Sequence, residues 1–286
     1  MKKTLLTICL VWMCFSLSAQ KIIDLSGKWS FSIDRQDNGE KEKWFSHTLN
    51  DCINLPGSMP EKLKGDEVTA KTQWTGSLYD SSYYYNPYME KYRKEGNIKF
   101  PFFLTPDKHY VGAAWYQKEV NIPADWKGER ILLFLERPHI ETTVWVNGQK
   151  TGMQNSLCVP HQYDITHYVR PGKCTITIRV DNRIKEINVG PDSHSITDQT
   201  QGNWNGIVGR ICLQTTPKTY FDDIQIYPEP EQKLARVKVV IKGAGITKIK
   251  LSAESFNTDP DQRCPEQRDG HKLISSTHWD GWPVKK

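Results

Sequence analysis

The sequence lacks the features that mark a nucleic-acid-binding, membrane-spanning or disulfide-stapled protein. Its basic and acidic residues are interspersed, and a formal net charge of +5 over 286 residues is modest. A nucleic-acid surface would instead gather basic residues into a stripe. No apolar run reaches the roughly 20 residues of a membrane span. Five of the seven cysteines lie beyond residue 19, and they include no close pair and no metal-type spacing. We therefore predict no nucleic-acid partner, from the charge pattern, and no metal site, from the cysteine spacing.

The first 19 residues have the composition of an export signal. A basic tripeptide is followed by an apolar run from Leu5 to Leu17 and by the small residues Ser18 and Ala19. We therefore predict a signal peptide over 1–19, export to the periplasm or the extracellular space, and no membrane association after its removal. An uncleaved anchor is the alternative, which the short apolar run disfavours. An oxidising compartment would permit one disulfide or two among the remaining cysteines.

Alternation of apolar and polar residues with a period of two is the main structural signal. It recurs at Trp29 to Ile33, at Trp115 to Val120 and at Cys174 to Val180. The continuous apolar run Ile131 to Leu135 is typical of a strand that is buried on both faces. No amphipathic helix of any length is predicted. The sequence therefore predicts an all-β fold, a jelly-roll-like antiparallel sandwich of two sheets.

The Asn147-Gly148 dipeptide predicts a tight hairpin. It separates the strand-like stretches Thr142 to Val146 and Gln149 to Thr151. Both central residues of the favoured two-residue turn need positive φ, which Asn and Gly tolerate best. We therefore expect Val146 and Gln149 to flank the turn.

Residues 20–228 are predicted to form the sandwich, with an ordered insertion near 58–110. The insertion is rich in tyrosine, which argues against disorder. Residues 229–286, beyond Pro228, are predicted to form a partial immunoglobulin-like domain. Only two clear strands are predicted there, joined by a Gly-Ala-Gly turn, whereas a complete domain of that type needs about seven.

Six motifs follow one another in a fixed order along the sandwich. They are Leu25-Ser26-Gly27-Lys28-Trp29, Leu55-Pro56-Gly57, Trp115-Tyr116-Gln117-Lys118, Val144-Trp145-Val146-Asn147-Gly148, Tyr163-Asp164-Ile165-Thr166 and Asn203-Trp204-Asn205-Gly206-Ile207-Val208-Gly209-Arg210-Ile211. Together they resemble the N-terminal sugar-binding domain of family 2 glycoside hydrolases, which include β-galactosidases, β-glucuronidases and β-mannosidases. The resemblance covers about Leu25 to Tyr227.

This resemblance implies that the chemistry lies elsewhere. Members of the family hydrolyse glycosides with two glutamates on a barrel that follows the second domain, and retention needs these carboxyl groups about 5–5.5 Å apart. We expect this chain to stop before that barrel, to contain no catalytic residue and no cofactor, and to be inactive alone. The expected partners are a carbohydrate and the missing barrel of a full-length parent. All eight histidines are predicted to be ordinary surface or core residues.

The resemblance also implies a binding segment. In the family, the loop ahead of the last motif forms one wall of the sugar pocket, and here it spans Ser193 to Gly209. It contains polar candidates whose groups match sugar hydroxyls and an indole that can pack against a pyranose ring. The predicted substrate-binding residues are Asp198, Gln199, Asn203, Trp204 and Asn205. Packing roles are the alternative, and Gly202 stands where β-galactosidases have an acidic residue.

Two further functions stay open at this point. The chain could be a stand-alone carbohydrate-binding module that acts without hydrolysis, for which the tyrosine-rich insertion offers a second aromatic surface. That insertion could equally pack against the missing barrel. An adhesion or scaffold protein is the third option, supported only by the β-sandwich character.

Overall fold

The computed structural model describes residues 21–76, 81–185, 192–232, 234–243, 249–258 and 273–279. The predicted signal peptide lies outside these residues, and so does Cys264. The chain divides into two compact units, Met1–Thr216 and Pro217–Lys286, and each is described by itself.

Strands make up most of the regular structure of the first unit. They are β1 (Ile22–Asp24), β2 (Gly27–Asp34), β3 (Asp51–Leu55), β4 (Gly57–Ser58), β5 (Asp66–Glu67), β6 (Lys108–His109), β7 (Ala113–Ile122), β8 (Arg130–His139), β9 (Glu141–Val146), β10 (Gln149–Asn155), β11 (His161–Asp164), β12 (Gly172–Asp181) and β13 (Gly206–Thr216). The helices are short: α1 (Ser82–Tyr85) and 3-10 turns at Trp44–Ser46, Pro87–Tyr92 and Ala124–Trp126.

Two antiparallel sheets form a sandwich. One has the order β1-β13-β8-β11, with β4 also pairing with β13, and the other has the order β10-β9-β12-β7-β2-β3. From β7 to β13 the chain passes repeatedly between the two sheets, as it does in a jelly roll. The prediction of an all-β antiparallel sandwich is therefore confirmed.

The predicted alternation places the core between the sheets. Trp29 and Phe31 on β2 are 1% and 0% exposed, and the predicted apolar run Ile131 to Leu135 is buried throughout. Apolar burial of this kind contributes roughly 25 cal/mol per Å² of area removed from water. The core of the sandwich is thus the main source of its stability.

A second apolar cluster covers the outer face of the six-stranded sheet. Trp115 and Trp145 lie side by side with ring centroids 4.9 Å apart, and Phe45 stacks on Trp145 at 5.2 Å. Phe45 belongs to the connection between β2 and β3, which folds over these indoles. This explains why β9 and the first half of β7 are buried on both faces although the sheet is antiparallel.

The hairpin at Asn147-Gly148 is confirmed. Asn147 has φ 51° and Gly148 has φ 77°, and Val146 pairs with Gln149 across the turn. The Asn147 side chain adds two bonds of its own, since its amide nitrogen donates to Tyr168 O and its oxygen accepts from Thr175 N. The turn is therefore held both by its backbone geometry and by its side chain.

The insertion between β4 and β7 has an aromatic core. Trp74 makes edge contacts with Phe100 and Phe102 at centroid distances of 4.9 and 5.0 Å, and with His109 at 4.6 Å. Tyr83, which is 1% exposed, packs on Phe100 at 4.9 Å. Aromatic pairs in this range add about 0.5–1.5 kcal/mol each beyond their burial. Side-chain packing, rather than regular structure, thus orders this segment.

In the second unit the described strands form two hairpins. β14 (Tyr220–Glu229) pairs with β15 (Leu234–Lys242), and β16 (Ala253–Thr258) pairs with β17 (Leu273–Trp279). The unit thus begins earlier than the predicted boundary after 228, because Pro228 lies in β14, at the end that leads into the hairpin turn. Proline is tolerated at such edge positions. The immunoglobulin-like assignment stays a prediction.

The four cysteines in the described residues are free thiols. Cys52 and Cys158 are exposed, whereas Cys174 and Cys212 are buried. Burial raises the pKa of Cys174 to about 11. The two buried thiols therefore act as small apolar side chains in the sandwich.

A charge network closes one end of the six-stranded sheet. At its centre, Asp181 is fully buried and accepts from Arg179 at 3.0 Å, from Arg183 at 2.5 Å and from Lys185 at 2.9 Å. Burial alone would raise the pKa of Asp181, but hydrogen bonds from Arg183 and Lys185 and the charge of Arg179 hold it well below its ordinary value. Asp181 is thus ionised wherever the sandwich is folded near neutral pH.

Replacement of Asp181 by Asn should destabilise the sandwich strongly. Removing one partner leaves buried cations uncompensated, which costs about 3–5 kcal/mol. Urea unfolding followed by tryptophan fluorescence measures the loss. Asp125→Asn is the control, because Asp125 pairs with Lys21 in solvent and its loss should leave the midpoint nearly unchanged. Equal midpoints for both variants would contradict a structural role for the network.

The same network should make the protein acid-sensitive. A carboxylate with a lowered pKa contributes stability above its ordinary value of 3.8, and this contribution is lost as the pH falls through the folded-state pKa. The unfolding free energy of the wild-type chain should therefore decrease below about pH 4. The Asp181→Asn variant should show a shallower decrease over the same range.

Candidate functional site

The predicted binding segment connects β12 to β13 and is described from Asp192 onward. Residues Thr197 to Gly202 form a tight turn, in which the amides of Gln201 and Gly202 both donate to Thr197 O. The segment ends where β13 begins at Gly206. A side-chain Cβ at that glycine would lie 2.5 Å from Gly57 O, so only glycine lets β4 approach β13 there.

Asp198 is the anchor of the segment. It is 2% exposed, and one carboxylate oxygen accepts from Thr75 N at 2.7 Å and lies 3.2 Å from Nε2 of His109. The other oxygen accepts from Asn203 N at 2.7 Å. Both oxygens are therefore engaged inside the protein, and the structure gives Asp198 a positioning role rather than an open face for a ligand.

Asn203 extends this bonding. Its amide nitrogen donates to Thr75 Oγ1 at 2.9 Å and to Asn182 O at 3.0 Å. Its side-chain oxygen, by contrast, is buried without a hydrogen-bond partner. Thr75 consequently makes four hydrogen bonds with the segment. Its amide donates to Asp198, its hydroxyl accepts from Asn203, and its carbonyl accepts from Asp198 N and from Thr197 Oγ1.

Asn205 links the two sheets. It is 1% exposed; its oxygen accepts from the Tyr116 hydroxyl at 2.7 Å, and its nitrogen donates to Gly112 O at 2.9 Å and Val180 O at 3.0 Å. These bonds use the donors and the acceptor of the amide. The structure does not present Asn205 to a ligand, and this predicted binding residue serves instead to hold the start of β13 against the other sheet.

Trp204 is the half-buried aromatic residue of the segment. Its indole stacks on the imidazole of His139, with centroids 4.6 Å apart and planes 23° from parallel. His139 ends β8 and is 5% exposed, and burial lowers its pKa to about 4. At neutral pH the ring beneath Trp204 is therefore uncharged. The stack fixes the orientation of the indole.

Unpaired polar atoms are concentrated around this segment. In the part of the chain that the structure describes, five buried side-chain polar atoms have no hydrogen-bond partner. Four of them belong here: Trp74 Nε1, His139 Nε2, Gln199 Oε1 and Asn203 Oδ1. Each such atom costs about 1–3 kcal/mol of desolvation. Buried polar atoms around this segment therefore lack hydrogen-bond partners more often than those in the rest of the described fold.

Several residues that build the site gave no signal in the sequence. Thr75 and His109 lie in the insertion, 123 and 89 positions from Asp198, and His139 lies at the end of a strand. No local sequence pattern around a single threonine or histidine predicts a contact with a residue so far away in the sequence. The sequence identified the segment, but not the residues that hold it.

Two further features are absent from the described residues. No group of three or more His, Cys, Asp or Glu side chains there is arranged to hold a metal ion. None of the helices in the same residues has both the length and the hydrophobicity needed to cross a membrane.

Comparison with known families identifies the first unit. The family described as glycosyl hydrolases family 2, sugar binding domain, matches residues 22–217, which is more than half of the chain. The chain belongs to glycoside hydrolase family 2. The match covers the whole sandwich, including the segment with Trp204.

Relatives of this family 2 chain include β-glucuronidases. It is 24% identical to the human β-glucuronidase over 80% of its length and 34% of the relative. It is 26% identical to that of Paenibacillus borealis over 72% of its length and 31% of the relative. The chain thus spans about a third of the length of these curated relatives.

Solved structures show the same fold. A β-glucuronidase from Ruminococcus gnavus, in complex with a C6-substituted uronic isofagomine, superposes with a TM-score of 0.52 at 18% identity. The superposition covers 79% of this family 2 chain and 34% of the other chain.

Replacement of Asp198 by Asn should loosen the segment. An amide oxygen can replace only one of the two carboxylate acceptors, so Thr75 N or Asn203 N loses its bond at a cost of about 1–3 kcal/mol. Hydrogen exchange at these two amides should become faster. The control is Asp107→Asn, an exposed position of the insertion, which should leave both rates unchanged. Unchanged exchange in Asp198→Asn would show that the carboxylate does not anchor the segment.

Proposed function

We propose that this family 2 chain is the N-terminal, non-catalytic and carbohydrate-binding part of an exported glycoside hydrolase. The full-length parent would hydrolyse O-glycosyl bonds. Its export rests on the signal-like residues 1–19. The observation that carries the proposal is the half-buried indole of Trp204, held on His139 at 4.6 Å within a segment that buried hydrogen bonds fix in place.

The indole offers a surface for a sugar ring. A pyranose has an apolar face of C–H groups that packs on an aromatic ring, and a ring held at a fixed orientation loses little entropy on binding. Asp198, Asn203 and Asn205 support this surface from behind. In this proposal Trp204 contacts the sugar together with Gln199, whose side chain is partly exposed, and the three buried residues position them.

The unpaired atoms of the segment agree with an incomplete site. Buried polar groups in native proteins are almost always hydrogen-bonded, yet Gln199 Oε1 has no partner, and His139 Nε2 and Asn203 Oδ1 have none beyond each other. A small shift of the segment would let them bond to hydroxyl groups or to another domain. In our proposal that domain is the catalytic barrel of the parent, which would supply the two glutamates.

The names of the relatives suggest the substrate class to test first. The human and Paenibacillus borealis relatives are β-glucuronidases. A β-glucuronide is therefore the first substrate to offer a full-length parent.

A stand-alone carbohydrate-binding module is the second candidate function. It is favoured by the exposed aromatic side chains of the insertion, since Tyr85 is 73%, Tyr88 85% and Phe103 82% exposed. Phe103 N donates to Gln199 O at 3.3 Å, which joins this surface to the predicted binding segment. A module of this kind would bind oligosaccharides tightly without any other domain.

Calorimetry with the purified 286-residue chain separates these functions. The fragment proposal expects millimolar or no binding of mono- and oligosaccharides, because only one wall of the pocket is present. Any measurable binding should be lost in Trp204→Ala and largely kept in Trp204→Phe, which preserves a stacking ring. Micromolar binding that is insensitive to Trp204 would favour the stand-alone module instead.

An activity assay tests the non-catalytic role. The chain should not turn over aryl β-glucuronides or aryl β-galactosides above the blank, because retaining hydrolysis needs two carboxyl groups about 5–5.5 Å apart on a rigid scaffold. Turnover that co-purifies with the chain, and that persists through a second independent preparation, would overturn the proposal.

A further inference from the structure

A cavity of about 420 Å³ is lined largely by residues of the insertion, and Trp204 is not among its lining residues. Its walls include Arg35, Asp66, Glu67, Lys71, His109 and Tyr110. The volume falls in the range of 300–1,000 Å³ that is typical of small-molecule sites. None of the residues predicted from the sequence to bind substrate lines it.

Most charged side chains of the cavity wall already form ion pairs or other contacts within the protein. Arg35 forms an ion pair with Asp66 at 2.7 Å, and its guanidinium lies over the ring of Tyr110 at 5.7 Å. Glu67 pairs with Lys108. On the inner side, Nε2 of His109 lies 3.2 Å from Asp198. These contacts preorganise the cavity, so that a ligand would not have to pay for ordering them.

Lys71 is different from the other cations of the wall. Among the described residues, no carboxylate lies within ion-pair distance of its ammonium group. The turn that carries it is nevertheless fixed, since Thr69 N donates to Thr72 Oγ1 at 2.8 Å and Lys71 N donates to Thr69 Oγ1 at 3.2 Å. Gln73 Nε2 also donates to Lys71 O at 3.1 Å. The wall therefore offers an unpaired positive charge on an ordered turn.

The composition of the wall restricts the ligand. Lys71 suits a carboxylate, because charge-assisted hydrogen bonds are about twice as strong as neutral ones. Asp66 keeps acceptor positions beside its ion pair with Arg35, and these can accept only from donors such as hydroxyl groups. Such donors are plentiful on a sugar and scarce on phosphate and dicarboxylates. A ligand with one carboxylate and several hydroxyl groups satisfies both requirements. That description fits a sugar acid.

We propose that this cavity is an accessory site for a uronic acid or a related sugar acid, with Lys71 binding the carboxylate and Asp66 accepting from the hydroxyls. The site is separate from Trp204 and does not depend on any hydrolytic activity. Its link to the predicted binding segment is His109, which lines the cavity and touches Asp198.

Saturation-transfer NMR titrations of the 286-residue chain with D-glucuronate test the proposal. We expect saturable binding of D-glucuronate, at least fivefold weaker binding of D-glucose and no competition by inorganic phosphate. Lys71→Ala should weaken D-glucuronate binding about tenfold, the usual effect of losing one charge-assisted bond. Lys127→Ala is the matched control, because Lys127 is also exposed and lies away from the cavity, and it should change nothing.

The alternative outcomes are distinct. Absence of D-glucuronate binding, equal binding of D-glucose, or an unchanged affinity in Lys71→Ala would each overturn the accessory site. If Trp204→Ala abolishes binding while Lys71→Ala preserves it, the sugar acid occupies the segment of Trp204, and the accessory site is wrong while the proposed function gains support. Binding that survives Trp204→Ala and weakens in Lys71→Ala supports the accessory site alone.

Discussion

The candidate site depends on one buried carboxylate. Asp198 holds together three parts of the chain that are far apart in sequence, through Thr75, His109 and Asn203. Residues 192–205, ahead of β13, contain little regular structure, so they have no ladder of backbone bonds to define their shape. Two oxygens with four lone-pair positions replace that ladder. The stack of Trp204 on His139, and the inner wall of the accessory cavity, both follow from where this carboxylate fixes the backbone.

Polar residues in this segment illustrate a general ambiguity. Amides and carboxylates suit sugar hydroxyls and backbone groups equally well, since both present the same donors and acceptors. The side-chain amide of Asn205 forms hydrogen bonds with Tyr116, Gly112 and Val180. The side-chain oxygen of Gln199, by contrast, has no hydrogen-bond partner. The internal hydrogen bonds of each side chain decide between the two roles. A binding loop that must be rigid needs some of its polar side chains for hydrogen bonds within the protein, and these side chains do not contact a ligand.

The fold was more predictable than the site. Period-two alternation locates β2, β7, β8 and β12, because each strand has one face toward the shared core and side chains alternate by geometry. The hairpin at Asn147-Gly148 follows from positive φ. The contacts of Thr75, by contrast, join positions 123 residues apart, and no local pattern encodes them. The start of the second unit was not predicted for a related reason. Proline is typical of a linker, so the boundary was placed after Pro228. The strand that contains Pro228 is defined by its pairing with β15, which the local sequence does not show.

The exposure of each described thiol determines which of them can be oxidised in the folded protein. Cys52 and Cys158 face solvent, while Cys174 and Cys212 are enclosed by the sandwich. Oxidation follows exposure and thiolate content, and the raised pKa of Cys174 further suppresses its reaction. Of the four thiols in the described residues, only the two exposed ones can therefore react with glutathione or with another thiol without opening the core. Mixed disulfides found there on protein taken from cells would indicate that the folded protein had been in an oxidising compartment.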